Sequence, residues 1–349
     1  MTAQVTIIVP IYKVEKYLRA CFDSLLRQTS PDYTILAVND GSPDGCDAII
    51  REYVGAHREN MKGIRKENGG YGSVLQLAIA QLDTPYFLIC DPDDTLEPKA
   101  VETLLKLAKV SQADITIGAK MIMHEGEPVE EYDAAYNRAY VTLRKNSVYN
   151  RGTEAFNDLF FVDPSPHAKL YRTEIARDIH FPEHVSYTDN MLFDLALLKA
   201  EKVIYTDDPL AHYLVNRTGN SMTDISYAAM NGQILVFKSI ITQAENTRTE
   251  IPDMFWYRMY ESFKFMLYQL RRMNADEEKF GGTLDYLETY LQKLTPHEKA
   301  IRPLYRRYTK CAVMERLRDE GLMSPRRSGA TFQGIKKRML QAYRTEKAK

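Results

Sequence analysis

Short, almost wholly apolar runs alternate with amphipathic segments through the first hundred residues of this 349-residue chain, and that alternation restricts its fold more than any other feature. Val5–Pro10, Tyr33–Val38, Met61–Arg65 and Tyr86–Cys90 read as strands. Between them Lys16–Gln28 carries Leu18, Cys21, Phe22, Leu25 and Leu26 along one side and reads as a helix, as do Cys46–Ala56 and Tyr71–Leu82. Strands apolar on both faces, each followed by a helix, predict an α/β fold with a mostly parallel sheet flanked by helices. Ligands of such sheets bind beyond the carboxyl ends of the strands. Three polar loops fall there and are expected to face one cleft: Pro10-Ile11-Tyr12, Asn39-Asp40-Gly41-Ser42 and Asp91-Pro92-Asp93-Asp94.

The third loop sets three aspartates within four positions directly behind a strand. Unpaired carboxylates crowded at a buried strand end cost several kcal/mol per ion, on the order given for desolvated charges. A hard divalent cation, which takes oxygen ligands, would relieve that repulsion. The plainer alternative is an Asp-Pro turn in which Asp93 or Asp94 caps a helix starting near Glu97-Pro98. In the second loop, a carboxylate followed by Gly-Ser suits hydrogen bonding to a base imide or a ribose hydroxyl, and an ordinary Asx turn is again the plainer alternative.

Taken jointly, Ile8-Val-Pro-Ile-Tyr-Lys-Val-Glu-Lys-Tyr-Leu18, Val38-Asn-Asp-Gly-Ser-Pro-Asp44, Glu67-Asn-Gly-Gly-Tyr-Gly72 and Leu88-Ile-Cys-Asp-Pro-Asp-Asp94 resemble the family 2 glycosyltransferases with a GT-A (Rossmann-like) fold. The resemblance is strong over the first hundred residues and extends weakly to about Met222. It implies that Pro10, Ile11 and Tyr12 line a nucleoside pocket, that Asp40 meets the base, and that Asn68, Gly69 and Gly70 border the nucleotide and donor sugar. It makes Asp91-Pro92-Asp93 a DxD motif, with Asp91 near the ribose or donor sugar and at the metal, Asp93 a ligand of Mn²⁺ or Mg²⁺, and Asp94 a cap or sugar contact. The chain departs from the family after its glycines, where Val74-Leu75-Gln76-Leu77-Ala78 stands in place of Ala-Arg-Asn-x-Gly.

A catalytic base is implied at a later helix start, and in Ser186-Tyr-Thr-Asp-Asn-Met-Leu-Phe193 the spacing of Asp189 to Leu192 fits it, with Thr188 in place of the usual glutamate. A rival register puts Asn190 at the base position, where an amide cannot accept the proton. His167-Ala-Lys-Leu-Tyr171 resembles a segment beneath the acceptor site; Lys169 is a contact there or the partner of a buried carboxylate. His212-Tyr-Leu-Val-Asn-Arg-Thr-Gly-Asn-Ser-Met222 resembles the family's closing segment. Arg217 then suits diphosphate, and His212 is a further metal or diphosphate contact or simply a hydrogen-bonded histidine at a strand end.

The resemblance thus implies an inverting transfer of a sugar from a nucleotide diphosphate sugar, a UDP-sugar first, to a hydroxyl of a glycan, lipid-linked or glycoprotein acceptor. Residues 1–223 would form the GT-A domain, with 1–112 the nucleotide half and 113–223 the acceptor half. A helical C-terminal region, 224–349, rich in Tyr, Met and Phe, would supply core or a homo-oligomer interface. A nucleotidyltransferase should show a Gly-rich basic signature at its start, and Val9-Pro-Ile-Tyr-Lys13 has none. A noncatalytic nucleotide-sugar binder or assembly partner stays open with the rival register.

Lys and Arg total 46 against 47 Asp and Glu, a balance that argues against a nucleic-acid binder. Cys21, Cys46, Cys90 and Cys311 are scattered as reduced structural thiols would be, and no apolar run has transmembrane length, so a cytoplasmic protein is expected. Between Arg302 and Lys349 there are 14 Lys/Arg and 4 Asp/Glu. That tail is either solvated or a peripheral contact with the inner face of the cell membrane.

Overall fold

A computed structural model describes residues 3–127, 130–217, 226–247, 249–273 and 277–308. The chain divides into two compact units, residues 1–223 and 224–349.

The first unit begins with β1 (Val5–Ile11), α1 (Glu15–Leu26), β2 (Tyr33–Asn39), α2 (Cys46–Ala56), β3 (Met61–Arg65), α3 (Tyr71–Ala80) and β4 (Tyr86–Ile89). It continues through β5 (Thr95–Leu96), α4 (Ala100–Ser111), β6 (Ile115–His124), β7 (Glu130–Asp133), β8 (Ser147–Asn150), β9 (Lys169–Arg172), α5 (Thr188–Lys199) and β10 (Lys202–Val215). The sheet runs β3-β2-β1-β4-β9-β6-β10-β5, with β7 on β6 and β8 on β10. Every residue of β1 is buried, as a strand covered on both faces by helices requires. On one face α1 lays Leu18, Cys21, Phe22 and Leu25 against the sheet, the i, i+3, i+4, i+7 stripe read from the sequence. Each such Leu or Phe contributes about 1.5–3 kcal/mol by leaving water.

The first four strands pair in parallel, Ile8 facing Leu36 on one side and Ile89 on the other. Beyond β4 the run of parallel pairs is interrupted, because β9 enters antiparallel between β4 and β6; β6 and β10 then pair in parallel again. Two strands, β6 and β10, run far past the apolar runs Ile115–Gly118 and Val203–Tyr205 near their starts. β10 has 14 residues and shifts register on both sides of Pro209, as a bulge does. That kink lets its second half pair with β6 and also, through His212 and Thr95, with β5. Glu154–Phe161 forms a 3-10 helix.

The second unit contains α6 (Tyr227–Glu245), α7 (Asp253–Arg272), α8 (Glu277–Leu294) and α9 (Glu298–Tyr308). Met254, Phe255, Trp256, Tyr257 and Met259 are buried, and the Tyr290 hydroxyl donates to the Met259 carbonyl at 2.7 Å. Lys264 is buried between the Tyr260 and Tyr305 rings and pairs with Glu261 at 2.6 Å. Among the described residues no helix is long and apolar enough to cross a membrane. Cys21, Cys46 and Cys90 are buried free thiols. Cys311, the closing motif beyond Arg217 and the basic tail beyond Tyr308 lie outside the described residues.

Candidate active site

Because β1, β2 and β4 run parallel, their carboxyl ends bring the three polar loops together. The Asp40 amide donates to the Ile11 carbonyl at 2.9 Å, the Lys13 amide to Ser42 Oγ at 2.8 Å, and the Cys90 amide to the Ile8 carbonyl at 3.0 Å. Pro10 and Ile11 are buried, while the Tyr12 side chain is exposed.

Asp40 is 2% exposed, and all four lone-pair sites of its carboxylate are occupied within the chain. Oδ1 accepts from Lys66 Nζ at 2.7 Å and the Gly69 amide at 3.0 Å; Oδ2 accepts from the Gly70 amide at 2.8 Å and Asn68 Nδ2 at 3.2 Å. Through these bonds Asp40 fastens the Asn68-Gly69-Gly70 loop, a task the resemblance did not imply. Lys66 escaped the sequence reading, which had no local signal for it beyond one basic residue after a strand. Asp40→Ala is expected to orphan the buried Gly69 amide, at about 1–3 kcal/mol, and to leave the more accessible Lys66, Asn68 and Gly70 donors to water. Urea unfolding should show a loss of about 3 kcal/mol in total; a change under about 1 kcal/mol would remove the fastening role.

At the end of β4 the chain turns, the Asp94 amide donating to the Asp91 carbonyl at 3.0 Å. Each aspartate of the turn then finds a different partner. Asp91 Oδ1 accepts the Tyr71 hydroxyl at 2.8 Å. Asp93 pairs with Arg217 Nε, so that the two groups expected to meet metal and diphosphate meet each other. Asp94 takes the Leu214 amide at 2.8 Å on Oδ1 and His167 Nε2 at 2.7 Å on Oδ2. It caps no helix, since α4 starts at Ala100 behind Lys99 with no side-chain cap. His212 lies 2.5 Å from Glu97 Oε1 and not in the acidic group.

Among the described residues, the cluster that can hold a cation is Asp91, Asp94 and His167, whose ligand atoms lie within 4.8 Å of one another. Its composition fits Mn²⁺ or Mg²⁺: two carboxylates and an imidazole whose Nδ1 is buried without a hydrogen-bond partner. Burial, together with repulsion among the aspartates, pushes the Asp91 and Asp94 carboxyls well above their usual range, and burial pushes His167 well below its own. A neutral imidazole keeps the lone pair that a metal needs.

Asp189 sits in the first turn of α5, whose entry residue Tyr187 takes φ +68°. Burial pushes its carboxyl up to about 6, against a lowering hydrogen bond from the Asn190 amide. It lies within electrostatic reach of Asp91 and Lys169. Lys169 is fully buried in β9, donates to the Ser165 carbonyl at 2.6 Å and is lowered to about 7 by burial. Ser165 Oγ accepts from a second buried lysine, Lys120, at 3.0 Å, and Lys120 also pairs with Asp163. Although burial opposes it, Lys120 and Lys169 hold Asp163 below the usual carboxylate range.

The family described as glycosyl transferase family 2 matches residues 6–180. Over 332 residues the chain is 26% identical to glycosyltransferase GlyA of Streptococcus pneumoniae, covering 86% of this chain and 47% of that protein. Over 302 residues it is 27% identical to a poly(ribitol-phosphate) beta-glucosyltransferase of Bacillus spizizenii, covering 82% and 45%. The chain thus spans about half the length of these two curated relatives. The structure of Staphylococcus aureus TarS 1-349 in complex with UDP-GlcNAc superposes with a TM-score of 0.67 at 19% identity, over 99% of this chain and 92% of that one. At that identity the likeness shows the fold.

Proposed function

The chain belongs to glycosyl transferase family 2, and from that premise we propose that it is an inverting, metal-assisted glycosyltransferase using a nucleotide diphosphate sugar, first a UDP-sugar. The observation that carries the reading is a half-buried carboxylate, Asp189, raised to about 6 within electrostatic reach of Asp91 in an Asp-Asp-His cluster whose Asp94 and His167 are buried. A general base works best with a pKa near the operating pH. Residues 1–112 serve as the nucleotide half and 113–223 as the acceptor half.

Asp189 takes the proton from an acceptor hydroxyl, which attacks the anomeric carbon opposite the leaving diphosphate and inverts it. Asp91, Asp94 and His167 would hold the divalent cation, which would supply positive charge to offset that growing on the diphosphate. Arg217, paired with Asp93, has the planar fork suited to phosphate oxygens. The Asp40-fastened loop borders the donor sugar, and Tyr12, exposed behind β1, faces the nucleoside.

The named relatives and neighbour include a poly(ribitol-phosphate) beta-glucosyltransferase and a protein bound to UDP-GlcNAc, which support a UDP-sugar donor and a cell-surface polymer acceptor for this chain. A screen of nucleotide sugars with Mn²⁺, read as slow donor hydrolysis, is expected to select UDP-glucose or UDP-N-acetylglucosamine. Hydrolysis of none of the sugars, with no nucleotide binding by calorimetry, would discard the reading.

A further inference from the structure

We infer that Tyr71 is a positioning residue for the metal-binding carboxylate Asp91, an inference that rests on the cation site proposed above. Its hydroxyl donates to Asp91 Oδ1 at 2.8 Å from the first residue of α3. The main chain carrying Tyr71 is held from two directions. On one side the Gly69 and Gly70 amides donate to Asp40. On the other the His184 amide donates to the Gly69 carbonyl at 2.7 Å.

Two glycines make that close seating feasible. Gly70 has φ +84°, and a Cβ there would come within 3.1 Å of the His184 amide nitrogen. A Cβ on Gly72 would approach the Pro182 carbonyl to 2.6 Å and Thr188 Cγ2 to 3.0 Å. The turn therefore lies flush against the segment that leads into α5 and Asp189. A side chain of set length, from a turn bound to both the Asp40 loop and the approach to the base, ends on a carboxylate of the cation cluster. Packing alone would be met by phenylalanine; the hydroxyl supplies the hydrogen bond by which an outer group orients a metal ligand.

Loss of such an outer partner weakens metal binding about 10–100-fold. For Tyr71→Phe in the full chain, the Mn²⁺ Kd followed by electron paramagnetic resonance in the presence of UDP is expected to rise about tenfold. UDP affinity without metal should not change. Thr84→Val, which removes a buried hydroxyl bonded to Thr6 at 2.7 Å, serves as the control for general loosening of the sheet. Its Mn²⁺ affinity is expected to equal that of the wild type. A Tyr71→Phe Kd within twofold of wild type would overturn the inference, as would equal weakening by Thr84→Val. Wild-type protein that binds no Mn²⁺ with UDP present would overturn the cation site itself and this inference with it.

Discussion

Asp189→Asn is expected to lower kcat by about 10³, within the 10²–10⁴ range of a lost general base, with donor affinity unchanged. The amide is nearly isosteric and keeps the start of α5, but it has no basic oxygen for the acceptor proton. The pH profile supplies an independent check. The ordinary carboxylate titrates near 4, and burial raises Asp189 to about 6, so its charged, proton-accepting form is lost as pH falls through 6. The kcat of wild-type protein should accordingly fall about tenfold per pH unit below that point and level off above it. Full transfer activity in Asp189→Asn would cancel the base assignment and return weight to the register that places Asn190 there. An acid limb centred near 4 would show that the base is a carboxylate in water.

The second large effect concerns the cation. Chelation should abolish transfer, and Mn²⁺ at a hundred times its Kd should stabilise the protein by about 2.7 kcal/mol, seen as a rise in Tm of several degrees. The shift should grow with pH. Burial and like charge raise Asp91 and Asp94, so the folded protein without a cation holds protons there that the unfolded chain releases above about 4. Their contribution makes the cation-free protein less stable as pH rises through that window, because the folded state binds more protons than the unfolded. A metal needs those same oxygens deprotonated, so its affinity increases in the same direction. The Mn²⁺-induced Tm shift is therefore expected to be larger at pH 8 than at pH 5, and to be largely absent in Asp91→Asn and Asp94→Asn. Equal shifts in wild type and both variants would place the metal elsewhere.

Asp40, Asp91 and the glycine loop were legible because they follow strands, and parallel topology sends every strand's carboxyl end to one edge. Their partners were not. Asp94 meets His167 across 73 positions and the Leu214 amide across 120, and nothing local in Asp91-Pro92-Asp93-Asp94 distinguishes those bonds from a helix cap. His212 and Asp93 show the converse. Both carry side chains that suit a metal, yet Glu97 and Arg217 occupy them. Lys120 carries no local signal of burial, and Lys169, read as an acceptor-site contact or the partner of a buried carboxylate, donates to the Ser165 carbonyl; the antiparallel entry of β9 beside β6 buries both.

What the sequence determined by itself was the order of elements, the buried faces and the ends of the strands where polar chemistry gathers. Those follow from hydrophobic periodicity, which acts over a few residues. Which carboxylate faces a cation, which is closed off by amides and which meets an arginine was decided only by tertiary structure. Charge pairing depends on distance in space, and the β9 reversal and the Pro209 bulge in β10 set those distances.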